Sequence, residues 1–324
     1  MHSSIKNIIH YNYSNLSNCS INIGYGINDN FARCTASSII SFCQNNSNQK
    51  IHFHIISLDL SIDSKIRFKT LAKEKHIYIT IYEANHSFFA NLPVKTNLPI
   101  PAYFRFILPL ILKEYEKIFY IDADILCLKN AKDFFNIKLD NYIIAAIPDD
   151  RIFNSRNSAL NLTDHTYFNS GVLIINVQKW LALNITEKLL LILQKTPHLF
   201  LYPDQDALNI ILTKNVKYIK QKFNYAINKN MSSNSDVVLL HYVHKPKPWE
   251  LIFPTSSYIN KYNKDFYNYY ESLTPFKNLP LLEPITYKEM HHYSKYLYSK
   301  KCYIKSLKYF LLYINKKIKS KLKY

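Results

Sequence analysis

Glycine is almost absent from this chain, with 3 among 324 residues. A sequence that avoids glycine keeps it where a side chain has no room or where φ must be positive, which singles out Gly24, Gly26 and Gly171. Cysteine is sparse and odd in number, at residues 19, 34, 43, 127 and 302, with no Cys-x-x-Cys pair. That pattern argues against a disulfide framework and for reduced thiols in a cytosolic protein. No apolar run approaches the ~20 residues that span a bilayer. Residues 1–19 lack the apolar core of a signal peptide. No internal repeat is visible, and acidic residues cease after Glu289.

What is present is a basic, tyrosine-rich chain that is 48% hydrophobic, enough for a sizeable core. Its net charge is +18, of which ten lysines fall in residues 290–324, leaving +8 for the other 289 residues. The chain therefore reads as a body with a basic tail. Asn, Lys, Ile and Tyr are abundant together, a sign of genome-wide compositional bias, so bulk basicity alone says little about partners.

The body alternates strand and helix patterns. Residues 20–28 alternate apolar and polar, and residues 31–44 follow with helical spacing. Residues 51–59 and 77–84 read as strands, separated by a helix over 61–75 that opens with Ser and Asp. Residues 103–112 read as a helix bent at Pro109, and 117 onward as another strand. This alternation predicts an α/β fold, a mostly parallel sheet flanked by helices. Ligands of such sheets sit beyond the carboxyl ends of the strands.

Asp122 and Asp124 stand at such an end, directly after Ile-Phe-Tyr-Ile. Residues i and i+2 of a strand share a face. Neighbouring carboxylates repel, and burying them unpaired is costly. A hard divalent cation, Mg²⁺ or Mn²⁺, relieves both problems. An Asp-x-Asp by itself also occurs in solvated turns; the apolar run before this one favours metal. Downstream, Asn169, Ser170 and Gly171 open an apolar strand, and Asp204, Gln205 and Asp206 begin a helix. His241 ends a buried strand as a candidate third ligand, and Lys247 offers a cation to a phosphate.

The order of these elements resembles glycosyltransferase family 8, the retaining bacterial galactosyl- and glucosyltransferases of lipopolysaccharide and lipooligosaccharide synthesis. The resemblance runs from about Ile21 to Trp249. It rests on YGINDNF (25–31), Arg105, the Asp-x-Asp, Asn-Ser-Gly (169–171), Asp-Gln-Asp (204–206) and His…Lys-Pro-Trp (241–249). It implies a GT-A fold, Rossmann-like, with a mostly parallel mixed sheet. It implies that Gly26, Ile27, Asn28 and Asn30 meet the nucleoside and that Arg105 approaches the sugar–phosphate. Asp122, Asp124 and His241 would hold Mn²⁺, or Mg²⁺, against the diphosphate of a UDP-sugar, with Ala123 between the two carboxylates also lining the donor site. Asp149, Asn169, Asp204 and Gln205 would surround the hexose, with Ser170 and Gly171 also lining the UDP-sugar site. His244 and Lys247 would face the diphosphate, with Lys247 stabilising it as it departs. Two residues depart from the family pattern: Asn28 stands where many members have Asp, and His244 where many have Gly. Gln205 is a poor nucleophile, so the resemblance favours front-face attack, with Asp204 as nucleophile the competing mechanism.

The implied donor is UDP-galactose or UDP-glucose, and the implied acceptor a lipid-linked oligosaccharide. The expected division is an extension over 1–19, a catalytic domain over 20–255 and a C-terminal region over 256–324. In the tail, Leu297, Tyr303, Ile304, Leu307, Phe310, Leu311, Ile314, Ile318 and Leu322 would form one apolar stripe if helical, with lysines on the rest. Such a helix suits an anionic membrane surface, here the cytoplasmic face of the inner membrane, or else packs on the body. An inactive family member and a basic nucleic-acid binder are the alternatives. The acidic motifs of the body oppose the latter, and no nucleic acid is expected.

Overall fold

The alternating pattern folds into an eight-stranded sheet with strand order β1-β4-β3-β2-β5-β8-β7-β9. These strands are β1 (Ile5–Asn12), β2 (Ile21–Ile27), β3 (Ile51–Ser57), β4 (Tyr78–Ala84), β5 (Lys117–Ile121), β7 (Ile144–Pro148), β8 (Phe168–Asn176) and β9 (Val216–Tyr218). Short strands β6 (Ile125–Cys127), β10 (Tyr225–Ala226) and β11 (Leu239–His241) form a second sheet. The computed structural model describes residues 4–14, 20–93, 100–162, 166–227, 232, 236–259 and 261–321. Cys19 and Leu322 lie outside them.

Strands β4, β3, β2 and β5 run parallel, and β7 and β9 also pair in parallel. Antiparallel pairing joins β1 to β4 and inserts β8 between β5 and β7, so the sheet is mixed and mostly parallel. Between β2 and β4 the crossovers are α1 (Ala32–Asn45) and α2 (Ile62–Lys75), the latter capped by Ser61, whose hydroxyl accepts from Ser64 N. Short α3 (His86–Phe89) and α4 (Phe104–Ile111) precede β5. Helix α4 runs two residues past Pro109, whose missing N–H falls near its end. The remaining helices of this region are α5 (Lys132–Phe135), α6 (Phe153–Leu160), α7 (Val177–Ala182), α8 (Ile185–Lys195) and α9 (Pro203–Leu212). Phe106, Ile107 and Leu108 of α4 pack with Tyr120, Leu173, Trp180, Leu189 and Leu208 in one buried cluster.

The β2 strand, read as half-polar, lies between β3 and β5 and is almost wholly buried, its Asn22 Oδ1 satisfied by His54 Nε2 at 3.0 Å. The two glycines of β2 make room for α4. A Cβ on Gly24 would lie 2.3 Å from Leu108 Cδ2, and one on Gly26 would lie 2.6 Å from the Pro101 carbonyl. No described glycine has a positive φ; His76, Asp140, Asn161, Asn184, Asn278 and Lys301 do. His76 and Asn161 close α2 and α6 in that left-handed conformation.

By compactness the chain divides into two units. One is Met1–Tyr225, Asp236–His241 and Leu273–Phe276; the other is Ala226–Ser235, Tyr242–Ser272 and Lys277–Tyr324. Within the second, α10 (Lys261–Ser272) places Tyr267 against the buried Trp249. The tail is not one helix. It folds back on itself as α11 (Tyr287–Ser299), opened by a Thr286–Glu289 capping box, and α12 (Tyr303–Lys321). The break falls at Lys300–Cys302, with Lys301 in the left-handed region. Ser294 and Ser306 each donate to the other's carbonyl, at 2.9 and 2.8 Å, locking the hairpin. Leu297 is buried with Ile252, Tyr293 and Tyr309, so it leaves the expected stripe. Ile304, Leu307, Leu311, Ile314 and Ile318 remain exposed.

Candidate active site

β2 and β5 run side by side in parallel, with Gly24 opposite Tyr120. Gly26 and Asp122 each follow two residues on, which brings the two motifs to the same edge of the sheet. The chain leaves β5 in a tight turn, closed by Ile125 N donating to Asp122 O, rather than continuing as a strand. This turn, not strand alternation, sets the two carboxylates. β11 pairs with β6 so that His241 lies opposite Ile125, next to Asp124. One ligand atom from each of Asp122, Asp124 and His241 lies within 4.8 Å of the others. His241 Nε2 is 3.3 Å from Asp124 Oδ1 and 3.9 Å from Asp122 Oδ2.

Two hard carboxylates and an imidazole nitrogen form a donor set that suits Mn²⁺ or Mg²⁺. Gly171 permits it, since a Cβ there would lie 2.7 Å from both Asp122 Oδ2 and His241 Cε1. Asp122 is further held by Tyr120 Oη at 3.0 Å and by Arg105 at 2.9 Å.

Arg105 joins this corner to a buried polar pocket. Its guanidinium donates to the Ser170 carbonyl at 2.6 Å and hydroxyl at 2.5 Å, and lies 3.3 Å from Asp204 Oδ2. Burial disfavours its charge, yet Asp122, Tyr120 and Asp204 together hold its pKa above the ordinary value. Burial also pushes the Asp204 carboxyl up, against the pull of Arg105. Gln205 Oε1 accepts from Ser170 N at 3.0 Å and from Asn169 Nδ2 at 3.1 Å. Asp149 receives Asn169 Nδ2 at 3.3 Å and a bidentate grip from Arg151 at 2.8 and 2.7 Å. Asp206 turns away from this group: Arg156, Tyr167 and the amides of Leu201 and Tyr202 satisfy it in the core.

The structure thus gathers Arg105, Asp122, Asp124, Asp149, Asn169, Ser170, Gly171, Asp204, Gln205 and His241 in one unit. Ala123 sits buried in the turn. Beyond β2, after Ile27, the Asn28 Oδ1 is buried with no hydrogen-bond partner among the described residues. Asp29 is engaged instead by Ser61 N and Oγ, both at 2.9 Å, and Asn30 is exposed. His244 and Lys247 belong to the second unit. There His244 stacks on Tyr258 at 3.8 Å, and buried Lys247 donates to the Tyr242 carbonyl at 2.5 Å. Sequence reasoning missed Tyr120, Tyr167, Arg151 and Asn224. The two tyrosines stand next to quoted motifs, which is the only signal they give.

Known proteins place the fold first. The galactosyltransferase LgtC, solved with donor and acceptor sugar analogues, superposes with a TM-score of 0.69 at 20% identity, covering 80% of this chain and 98% of that one. WbbM, a bifunctional glycosyltransferase, gives 0.62 at 16% identity over 81% of this chain and 51% of its own. The architecture is the GT-A glycosyltransferase fold.

The chain belongs to glycosyl transferase family 8, whose model matches residues 22–252, with the family's C-terminal model matching 263–317. A lipopolysaccharide 1,3-galactosyltransferase of Salmonella typhimurium is 27% identical, with 97% of this chain and 96% of that protein aligned. The lipopolysaccharide glucosyltransferase WaaO of Escherichia coli is 25% identical over the same shares.

Proposed function

We propose that the protein is a retaining, metal-dependent hexosyltransferase that moves galactose or glucose from a UDP-sugar to a lipopolysaccharide- or lipooligosaccharide-type acceptor. The observation that carries this is the Asp122–Asp124–His241 donor set, at the carboxyl edge of the sheet and joined through Arg105 to the pocket of Asp149, Asn169, Asp204 and Gln205. Asp122, Asp124 and His241 would hold a divalent ion there, which would supply charge screening for the leaving diphosphate. Asn28 Oδ1, a buried acceptor, suits the N3–H of uracil.

The pocket favours front-face attack. Gln205 Oε1 already accepts two hydrogen bonds, which fixes its amide as a polar wall rather than a nucleophile. Asp204 is buried, raised in pKa, and pinned by Ser170 Oγ at 3.2 Å and by Arg105. A carboxylate so held is poorly placed to swing toward an anomeric carbon. The leaving phosphate is then the base that takes the acceptor's hydroxyl proton. Lys247 is proposed to stabilise the departing diphosphate.

The proposed catalytic domain is 20–255 and the C-terminal region 256–324, a division supported by family matches that end at 252 and begin at 263. No helix among the described residues is long and apolar enough to cross a membrane. On α12, exposed Ile304, Leu307, Leu311 and Ile318 alternate with exposed Lys305, Lys308, Lys316 and Lys319, which supports adsorption to an anionic bilayer, proposed to be the cytoplasmic face of the inner membrane. UDP-sugar hydrolysis across a donor panel, with and without Mn²⁺, tests the enzyme. Hydrolysis of no UDP-sugar under either condition rejects it.

A further inference from the structure

We propose that Asn224 is a positioning residue. It fixes the tautomer of His241 for metal binding and ties that ring to the hexose-side amide of Asn169. The inference rests on the metal reading above for its consequence, while its geometric core stands on the protein alone.

A backbone N–H can only donate, and that of Gly171 fixes the orientations that follow. Gly171 N lies 2.9 Å from the side-chain amide of Asn169, so the facing Asn169 atom is the oxygen, Oδ1. The same oxygen lies 2.7 Å from the Asn224 side chain, so the Asn224 atom facing it is the nitrogen, Nδ2. Asn224 must then present Oδ1 to His241 Nδ1, 2.8 Å away. An acceptor there demands a proton on Nδ1. In the neutral ring Nε2 is left with its lone pair, and Nε2 is the atom that faces Asp122 and Asp124.

A second set of contacts agrees independently. Asn169 Nδ2 faces Asp149 Oδ2 at 3.3 Å and Gln205 Oε1 at 3.1 Å. The Gln205 oxygen is itself identified by the Ser170 N–H at 3.0 Å. Every member of the chain Gln205–Asn169–Asn224–His241 therefore has one permitted orientation. All four members of the relay are buried, so water does not compete for these bonds. A metal-bound histidine ordinarily donates its other nitrogen to an outer partner. Here that partner is a carboxamide, which also reaches the residue proposed to meet the transferred sugar.

The test uses the full chain. Long-range ¹H–¹⁵N correlation of metal-free protein should show His241 protonated at Nδ1, and Asn224→Ala should convert it to the Nε2–H form or a mixture. Mn²⁺ binding followed by electron paramagnetic resonance should weaken about tenfold or more in Asn224→Ala. Asn224→Asp keeps an acceptor for Nδ1–H, so its Mn²⁺ affinity should stay within about threefold of wild type. Its second oxygen would face Asn169 Oδ1, turning that amide, so turnover with donor should nevertheless fall. An Nε2–H ring in wild type overturns the inference whatever the metal does. If wild type binds Mn²⁺ and Asn224→Ala binds it equally, this inference alone is lost. If wild type binds none, the metal reading falls and takes the positioning role with it.

Discussion

Arg105 donates to Asp122 Oδ1 at 2.9 Å, on the carboxylate whose other oxygen faces the His241 ring. One group thus serves an internal ion pair with one oxygen and the candidate metal corner with the other. The same guanidinium lies 3.3 Å from buried Asp204, so it compensates two carboxylates at once. Arg105→Ala should therefore cost stability as well as activity, on the order of 3–5 kcal/mol, because it strands buried charge. Urea denaturation measures it; a change below about 1 kcal/mol would show that the pair is not energetically coupled to folding.

Asp124→Asn removes the negative charge of one ligand of the candidate metal site, 3.3 Å from His241 Nε2, while leaving the Arg105–Asp122 pair intact. Transfer should be abolished with little change in the unfolding midpoint. Calorimetric titration with UDP should lose its dependence on Mn²⁺. Near-normal turnover would remove Asp124 from the metal's coordination.

The glycines separate packing from function. A Cβ at Gly171 would press on Asp122 Oδ2, His241 Cε1 and Asn169 Oδ1, at 2.7, 2.7 and 2.9 Å. Gly171→Ala should lower Mn²⁺ affinity and turnover together. At Gly24 the atoms nearest an added Cβ all belong to the Leu108 side chain, away from the candidate metal corner, so Gly24→Ala should cost roughly 1–3 kcal/mol of stability and leave the residual folded enzyme active. Equal losses of metal affinity in the two variants would contradict this split.

Acid should destabilise the first unit through its buried histidines. His52 bonds Thr80 Oγ1 at 2.8 Å and stacks on Tyr78, while His54 bonds Tyr82 and Asn22. Burial first, and then neighbouring His10, lowers His52 from 6.5 to about 3; His54 is lowered well below 6.5 by burial and by His52. Both are neutral when folded and free to protonate when unfolded. Their stability contribution is present above pH 6.5 and declines as pH falls through the window toward 3. Urea midpoints should drop between pH 7 and pH 5, and the drop should be shallower in His52→Leu. An unchanged slope in that variant would assign acid sensitivity elsewhere.

The exposed face of α12 yields a test that spares the hairpin. Leu307 and Leu311 are 58% and 57% exposed, whereas Ser306 and Tyr309 face α11. Replacing both leucines with glutamate should keep the unfolding midpoint and UDP-sugar hydrolysis but abolish sedimentation with phosphatidylglycerol vesicles at low salt. If wild type also stays in solution, the membrane reading is wrong.

Much of this was legible in the sequence, for reasons that differ by residue. β5 announces itself as a short apolar run, Ile118–Ile121, and β3 and β4 through alternating apolar residues, Ile51, Phe53 and Ile55 in one and Ile79 and Ile81 in the other. β1 does not, because Lys6, Asn7 and His10 face outward from an edge strand and dilute its pattern. The turn at Lys300–Cys302 carries neither glycine nor proline, so nothing local interrupts the helical spacing that runs through it. Asp122, Asp124 and His241 stand out as polar residues ending apolar runs. Asn224 cannot, since an asparagine in an asparagine-rich chain gains its meaning from His241 and Asn169, 17 and 55 residues away.

The depletion of glycine amounts to an experiment the genome has already performed. Left-handed backbone at His76, Asn161 and Lys301 is the usual province of glycine, and there the chain tolerates a side chain at a strain of about 1–2 kcal/mol per position. The three glycines that survive all have ordinary backbone angles and no space for another atom. Among the described residues, side chains stand where conformation is the only objection, and glycine stands where a neighbouring atom occupies the space. What remains marks three places where an added methyl group would meet a neighbouring atom under 3 Å away.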